Sequence, residues 1–154
     1  MANPLSRSEM MARVRSRDTG PEITVRQLLH SAGFRFRLHR MDLPGTPDIV
    51  LPKYRTVVFV NGCFWHGHSG CRRSSLPSTN REFWKRKIHR NKERDASVVS
   101  KLRAIGWKVV IVWECEIAEG GLLLKRLAEE LRGKGIQKAH SHSVPGAFGR
   151  PPFT

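Results

Sequence analysis

A segment of eleven residues at positions 61–71 contains two cysteines, two histidines and two adjacent aromatic residues. With a third cysteine far along the chain, it offers the three thiolates and one imidazole that complete a tetrahedral zinc site. The candidate ligands are Cys63, Cys71, Cys115 and either His66 or His68. A complete ligand set leaves no position for a reacting water, so the sequence predicts a structural zinc that ties this Cys/His loop to the end of a later strand. Three ordinary buried thiols are the alternative.

The charge of the chain is strongly positive, with 28 Lys and Arg against 13 Asp and Glu and a formal net charge of +15. Such a balance favours a polyanionic partner, because each phosphate that a basic side chain neutralises releases a condensed counterion. A generally basic protein of the ribosomal kind is the alternative on charge alone.

The length and the apolar pattern predict a cytoplasmic protein. A chain of 154 residues is long enough to bury a hydrophobic core without disulfides. Its three cysteines are odd in number, which argues against a disulfide framework. The sequence has no stretch of about 18 apolar residues that could span a membrane, and the N-terminus lacks the apolar core of a signal peptide. We therefore expect no membrane partner.

Apolar periodicity and turn residues predict an α/β domain with a mixed central β-sheet flanked by helices. Thr19 and Glu22 form a capping box at the start of the first helix, with Pro21 in its first turn. This helix is expected to bury Ile23 along with its other apolar residues. The predicted helices span 20–32, 80–105 and 122–131, and the predicted strands span 34–38, 48–51, 56–60 and 107–113.

Composition divides the chain into three parts. Residues 1–17 are polar and basic and are expected to form an arm that contacts nucleic acid. Residues 18–132 are expected to form the folded domain. Residues 133–154 are rich in Gly, Pro, Ser and His, which predicts a disordered tail.

Three residues are candidates for phosphodiester chemistry. Asp48 follows Pro47 and opens a predicted strand, where its carboxylate suits Mg²⁺, a hard ion that prefers oxygen ligands. His66 lies in the Cys/His loop and is placed to take a proton from water. Glu22 needs no function beyond the capping box, but it would orient His66 if the helix start faces the loop. On a basic chain, this set suggests a phosphodiesterase.

The aromatic residues fall into two groups. Phe64 and Trp65 are consecutive in a Gly-flanked polar loop, where both cannot easily be buried, so they are candidates for insertion into a base stack. Trp84 lies among Arg and Lys residues, which suits stacking beside phosphate contacts. Phe83 and Trp113 are expected in the core.

Several linked motifs, in the same order, resemble those of the very-short-patch mismatch repair endonucleases from about position 8 to 131. The motifs are Arg17-Asp18-Thr19 with Glu22, 43–48, 62–66, Glu82-Phe83-Trp84, Glu93-Arg94-Asp95, Gly106-Trp107 and 112–115. The resemblance implies a restriction-endonuclease-like fold and a Mg²⁺-dependent, strand-specific nick 5′ of the thymine in T:G mismatches, which arise when 5-methylcytosine deaminates. The implied partner is double-stranded DNA with a T:G mismatch, bound by a monomer, and a mismatch-repair matchmaker protein is a further candidate partner.

The resemblance also implies roles for individual residues. Asp48 and the backbone carbonyl of Val60 would bind Mg²⁺, His66 would be the general base, and Glu22 its acidic partner. The zinc ligands would be Cys63, His68, Cys71 and Cys115. The side chains inserted into DNA would be Phe64, Trp65 and Trp84 from one side, and Met11 with Val14 from the other.

Asn61 is a departure within this resemblance, because the best-known member of the family carries a second active-site histidine at this position. Asparagine can hydrogen-bond a phosphate or a water but cannot transfer a proton at neutral pH. This active-site position is therefore either auxiliary or a cause of slower catalysis. Three alternative functions stay open: a restriction endonuclease acting on intact sites, a non-catalytic mismatch-binding protein, and a basic zinc-ribbon RNA-binding protein.

Overall fold

The computed structural model describes residues 4–12 and 17–133, which form four α-helices and four strands. The helices are α1 (Arg7–Ala12), α2 (Gly20–Ser31), α3 (Arg81–Ala104) and α4 (Gly120–Arg132). The strands are β1 (Arg37–Leu38), β2 (Ile49–Leu51), β3 (Thr56–Asn61) and β4 (Lys108–Trp113). Val14 and nearly all of the predicted tail lie outside the described residues, as do parts of the predicted arm.

A mixed sheet of order β1-β2-β3-β4 forms the centre of the domain. β1, β2 and β3 pair antiparallel in succession, whereas β3 and β4 pair in parallel over six residue pairs from Thr56↔Lys108 to Asn61↔Trp113. A parallel pair needs a long crossover connection, and α3 is the main part of it. The predicted α/β class with a mixed, helix-flanked sheet is confirmed.

Helices cover both faces of the sheet. The apolar residues of one face pack against α2 and α4, and those of the other face pack against α3 and Trp107. On the first face they are Ile49, Leu51, Val58, Val60, Val110 and Val112, and on the second Val50, Val57 and Val109. Because both faces are covered, β2 and β3 are apolar at almost every position rather than alternating.

The structure corrects four details of the sequence-based prediction. The strand expected over 34–38 is reduced to two residues, Arg37–Leu38. Ile23 and Phe83 are 41% and 48% exposed, because their helices turn other residues toward the core. Trp113 is only partly buried. The predicted arm contains a short helix, α1, that packs on the domain. No helix in the described part of the chain is long and apolar enough to cross a membrane.

Gly45 fixes the turn that leads into Asp48. Its φ of +74° lies in the left-handed region, and a Cβ at this position would collide with the side chain of Val98 on α3. We expect Gly45→Ala to lower the free energy of unfolding by about 1–3 kcal/mol, because it adds backbone strain and a steric clash. Urea unfolding measures this loss.

The matched control is Gly121→Ala in the first turn of α4, where a Cβ would meet no atom within 4 Å and φ is not positive. Alanine there favours the helix and should be neutral or slightly stabilising. Equal losses for the two variants would contradict the assigned role of Gly45.

Candidate active site and metal cluster

Asp48 lies immediately before β2, at the point where the chain enters the sheet. One carboxylate oxygen, Oδ2, accepts a hydrogen bond of 2.8 Å from the backbone N–H of Val60 on β3. The backbone carbonyl of Asp48 accepts a bond of 3.3 Å from the N–H of His39. The antiparallel pairing of β2 and β3 therefore brings the main chain of Val60 against the Asp48 carboxylate.

Burial raises the pKa of Asp48 from its ordinary 3.8 to about 6. The hydrogen bond from Val60 lowers this pKa, the negative charge of Glu22 raises it, and His39 and His66 lower it. Glu22, His39 and His66 thus lie close enough to Asp48 for their charges to act on it. A perturbed carboxylate with several titratable neighbours is typical of a functional site.

His66 pairs with Asp95, a residue that sequence reasoning gave no role. His66 Nδ1 lies 2.5 Å from Asp95 Oδ2, and the two side chains are 24% and 30% exposed. Asp95 faces the Cys/His loop from α3, and Asn91, one helical turn earlier, donates a hydrogen bond of 3.0 Å to the carbonyl of Trp65. The only sequence signal for Asp95 was its place among the resembling motifs.

Thr19 caps α2 as expected, but the Glu22 carboxylate does not complete the predicted capping box, and it does not partner His66. Thr19 Oγ1 accepts a 3.4 Å hydrogen bond from the N–H of Glu22, as the capping box requires. The buried Glu22 carboxylate accepts bonds from the Asp18 N–H and from Arg26 instead. The acidic partner of His66 in the described part of the chain is Asp95, because α3 contacts the Cys/His loop through both Asp95 and Asn91.

The four predicted zinc ligands form a cluster at the ends of β3 and β4. One ligand atom from each of Cys63, His68, Cys71 and Cys115 lies within 4.8 Å of the others. His68 Nδ1 is 3.6 Å from Cys115 Sγ, and the imidazole stacks on Trp113 with ring centroids 4.1 Å apart. The structure therefore brings His68 into the cluster and directs His66 to Asp95.

Burial raises the pKa of two of the three thiols in this cluster, Cys63 and Cys115, so thiolates at these positions would need a cation beside them. The pKa of Cys71 is instead lowered, chiefly by the backbone N–H of Arg73. Burial lowers the pKa of His68, which keeps the imidazole in the neutral form that binds metals. Thiolates and a neutral imidazole at this separation match the donor set of a four-coordinate soft or borderline ion.

The aromatic candidates are less accessible than expected. Phe64 and Trp84 are 2% and 3% exposed, whereas Trp65 is partly exposed. The short helix α1 covers them: Trp84 Nε1 donates a 2.6 Å hydrogen bond to Ser8 Oγ. Met11 packs against the cluster that Phe64 and Trp84 form with Ile88, which we call the aromatic cluster. Burial of Phe64 is possible because its ring meets those of Trp65 and Trp84 edge to face.

Comparison with known proteins identifies the family. The family model of the DNA mismatch endonuclease Vsr matches residues 1–73. The type II nicking enzyme V.XorIIP of Xanthomonas oryzae pv. oryzae is 54% identical, with 81% of this chain and 91% of that protein covered. The chain belongs to the DNA mismatch endonuclease Vsr family. The DNA mismatch endonuclease Vsr of Escherichia coli is 42% identical over 84% of this chain and 86% of that enzyme.

A solved structure is also similar to this Vsr-family chain. It is the catalytic domain of the homing endonuclease I-Bth0305I, with a TM-score of 0.47, 20% identity, and 73% of this chain and 93% of that chain covered.

The raised pKa of Asp48 predicts a stability that depends on pH. The unfolded carboxyl loses its proton near 3.8 and the folded one near 6, so the unfolded state is favoured increasingly as the pH rises between these values. In Mg²⁺-free buffer, we expect Asp48→Asn to stabilise the protein by about 2 kcal/mol at neutral pH and by little near pH 4. Urea unfolding of both proteins across this range measures the difference.

Asp42→Asn is the control, because Asp42 is exposed and its pKa is lowered by the hydrogen bond from Arg40. This variant should show no gain in stability at neutral pH. A gain for Asp48→Asn that is the same at every pH would contradict a titrating buried carboxylate.

Proposed function

We propose that this chain is a Mg²⁺-dependent endonuclease that nicks duplex DNA 5′ of the thymine in T:G mismatches produced by deamination of 5-methylcytosine. The observation that carries the proposal is the convergence of Asp48 with the His66–Asp95 pair on a chain of net charge +15. Membership of the Vsr family and the name of the Escherichia coli relative support the mismatch as the substrate.

Oxygen donors at Asp48 fit a magnesium ion. The Asp48 carboxylate and the main chain of Val60 lie together, and burial raises the pKa of Asp48, a cost that a bound cation would offset. Mg²⁺ held by Asp48 and the Val60 carbonyl would neutralise the charge that develops on the scissile phosphate. The residues present therefore suit the proposed ion.

His66 is the proposed general base. The hydrogen bond between Nδ1 and Asp95 keeps the proton on Nδ1, so that Nε2 is free to accept a proton from the attacking water. The Asp95 carboxylate then stabilises the imidazolium that forms, as the orienting acid of a catalytic triad does. Asn61, buried on β3, would hydrogen-bond the phosphate or the water without transferring a proton.

A structural zinc ion at Cys63, His68, Cys71 and Cys115 is the second proposed metal. Three thiolates and one imidazole complete its tetrahedron and leave no position for water. Bound zinc would fix the loop that carries His66 to the end of β4. The backbone N–H of Cys63, which donates a 3.2 Å bond to Glu114, supports the same connection.

The proposed DNA-binding surface combines α3 with the aromatic cluster. The first half of α3 presents exposed basic side chains for phosphate contacts. They are Arg81, Lys85, Arg86, Arg90 and Lys92. Trp65 is accessible for insertion, whereas Phe64 and Trp84 require α1 to move, because Ser8 and Met11 cover them. Met11 and Val14 remain the proposed insertion from the opposite side of the duplex.

The remaining features of the proposal concern setting and partners. We propose a monomer that acts in the cytoplasm on nucleoid DNA, with residues 1–17 as the DNA-contacting arm and 18–132 as the nuclease domain. A matchmaker protein of mismatch repair is the candidate protein partner.

A nicking assay on duplexes with and without one T:G pair separates this function from that of a restriction endonuclease, which would also cut the duplex without the mismatch. Mismatch binding without nicking would indicate a non-catalytic sensor.

The proposed role of Asp48 predicts the effect of its removal on nicking. Asp48→Ala should abolish Mg²⁺-dependent nicking of a T:G duplex, because the ion loses its carboxylate ligand, and should leave zinc content and DNA binding nearly unchanged. The measurement is strand-resolved gel electrophoresis of end-labelled duplexes, with metal analysis of the same preparation. Asp42→Ala, at an exposed carboxylate, is the control and should nick normally. Full activity of Asp48→Ala would refute the assignment.

The proposed zinc site predicts a loss of both metal and stability on mutation. Cys115→Ala should release the zinc and destabilise the whole domain, because metal binding is coupled to folding. Elemental analysis and thermal unfolding measure the two effects. Ser69→Ala, in the exposed part of the same loop, should change neither. A Cys115→Ala protein that is metal-free and as stable as the parent would remove the structural role.

A further inference from the structure

A second group of metal-type ligands lies beside Asp48, and its centre is filled by an arginine. One ligand atom from each of Asp18, Glu22 and His39 lies within 4.8 Å of the others. Arg26 Nη2 is 2.7 Å from Asp18 Oδ1, 3.0 Å from His39 Nε2 and 3.2 Å from Glu22 Oε2. The guanidinium therefore lies where a cation bound by these three groups would lie.

We propose that Arg26 is a positioning residue that takes the place of a cation within the Asp18–Glu22–His39 group beside Asp48. Its guanidinium holds the Glu22 carboxylate and keeps divalent ions out of the Asp18–Glu22–His39 group. This inference rests on the proposed function, because it concerns the same metal-dependent site.

Three of the four side chains in this arrangement are largely buried, whereas Asp18 is 51% exposed. The side chains of Glu22, His39 and Arg26 are 4%, 10% and 16% exposed. Arg26 Nε is buried without a hydrogen-bond partner among the described residues, so Nη2 is the atom through which the guanidinium contacts the three groups. The Asp18 N–H adds a 2.9 Å bond to Glu22 Oε2. The carboxylate of Glu22 is thereby held from two directions.

The charge of Arg26 matters to Asp48 through Glu22. Glu22 and Asp48 are two carboxylates close enough for Glu22 to disfavour the ionised form of Asp48. A guanidinium stays protonated at any working pH and cannot leave the site as a metal ion can. Arg26 therefore supplies a permanent positive charge beside Glu22, which limits its repulsion of Asp48 and leaves Asp48 as the place for an exchangeable ion.

Binding of Mn²⁺ without DNA tests the proposal, with zinc-loaded protein so that the cysteines are occupied. Arg26→Met removes the charge but keeps an unbranched side chain, and Arg26→Lys keeps the charge. We expect Arg26→Met to bind one Mn²⁺ per chain more than the parent protein, and we expect Arg26→Lys to match the parent. Adding Glu22→Gln to Arg26→Met should abolish the extra ion. An unchanged Mn²⁺ stoichiometry in Arg26→Met would overturn the cation-replacement role.

Nicking kinetics test the positioning role. We expect kcat of Arg26→Met to fall at least about tenfold with KM for DNA unchanged, because the uncompensated charge of Glu22 then disfavours the ionised form of Asp48 while no DNA contact is lost. Arg26→Lys should restore most of this loss. If Arg26→Met raises KM alone, or if Arg26→Lys is as impaired as Arg26→Met, Arg26 is not a positioning residue.

Two further points keep the outcomes distinct. If Arg26→Met does not fold, as judged by circular dichroism, Arg26→Gln carries the same expectations, since it removes the charge but retains a hydrogen-bond donor. The Mn²⁺ stoichiometry is measured without DNA, so it reports on Arg26 even if the protein nicks no T:G duplex. Failure of the proposed function and failure of this inference therefore give different results.

Discussion

The parallel pairing of β3 with β4 is the interaction on which the site depends. The pairing runs to Asn61↔Trp113, so the two strands leave the sheet side by side, and Cys63 lies near Cys115. A hydrogen bond from the Cys63 N–H to Glu114 joins the same two ends. Without this pairing, the loop would have no partner for its metal ligands. His66 would then have no fixed position relative to Asp48.

The surface of the protein is mainly positive, whereas the candidate active site is rich in carboxylates. The chain carries an excess of 15 positive charges, and exposed basic side chains follow α3. The site beneath gathers carboxylates, with Glu22 buried and Asp48 raised in pKa by burial. A basic surface attracts a polyanion, whereas clustered carboxylates attract a cation. The proposed nuclease needs both, and Arg26 limits the repulsion among the carboxylates.

Sequence reasoning found the residues that belong to compact motifs and missed those brought together by packing. Asp48 and the four metal-type ligands followed from turn chemistry, donor type and the family resemblance. Asp95 lies 29 positions from His66, and nothing local marks it as a partner. His39 is an isolated histidine that reaches the site because β1 pairs with β2. Phe64 was expected at the surface, but its burial depends on α1, whose docking no periodicity predicts.

The sequence by itself determined the α/β class, the donor set at the Cys/His loop and the family, because these depend on residue type and spacing along the chain. Tertiary structure decided which acid faces His66, which carboxylates the Arg26 guanidinium contacts and which aromatic residues remain accessible. Those outcomes depend on how α1, α2 and α3 lie against the loop. Helix orientation is fixed by the summed packing of many side chains, and short sequence motifs carry little information about it.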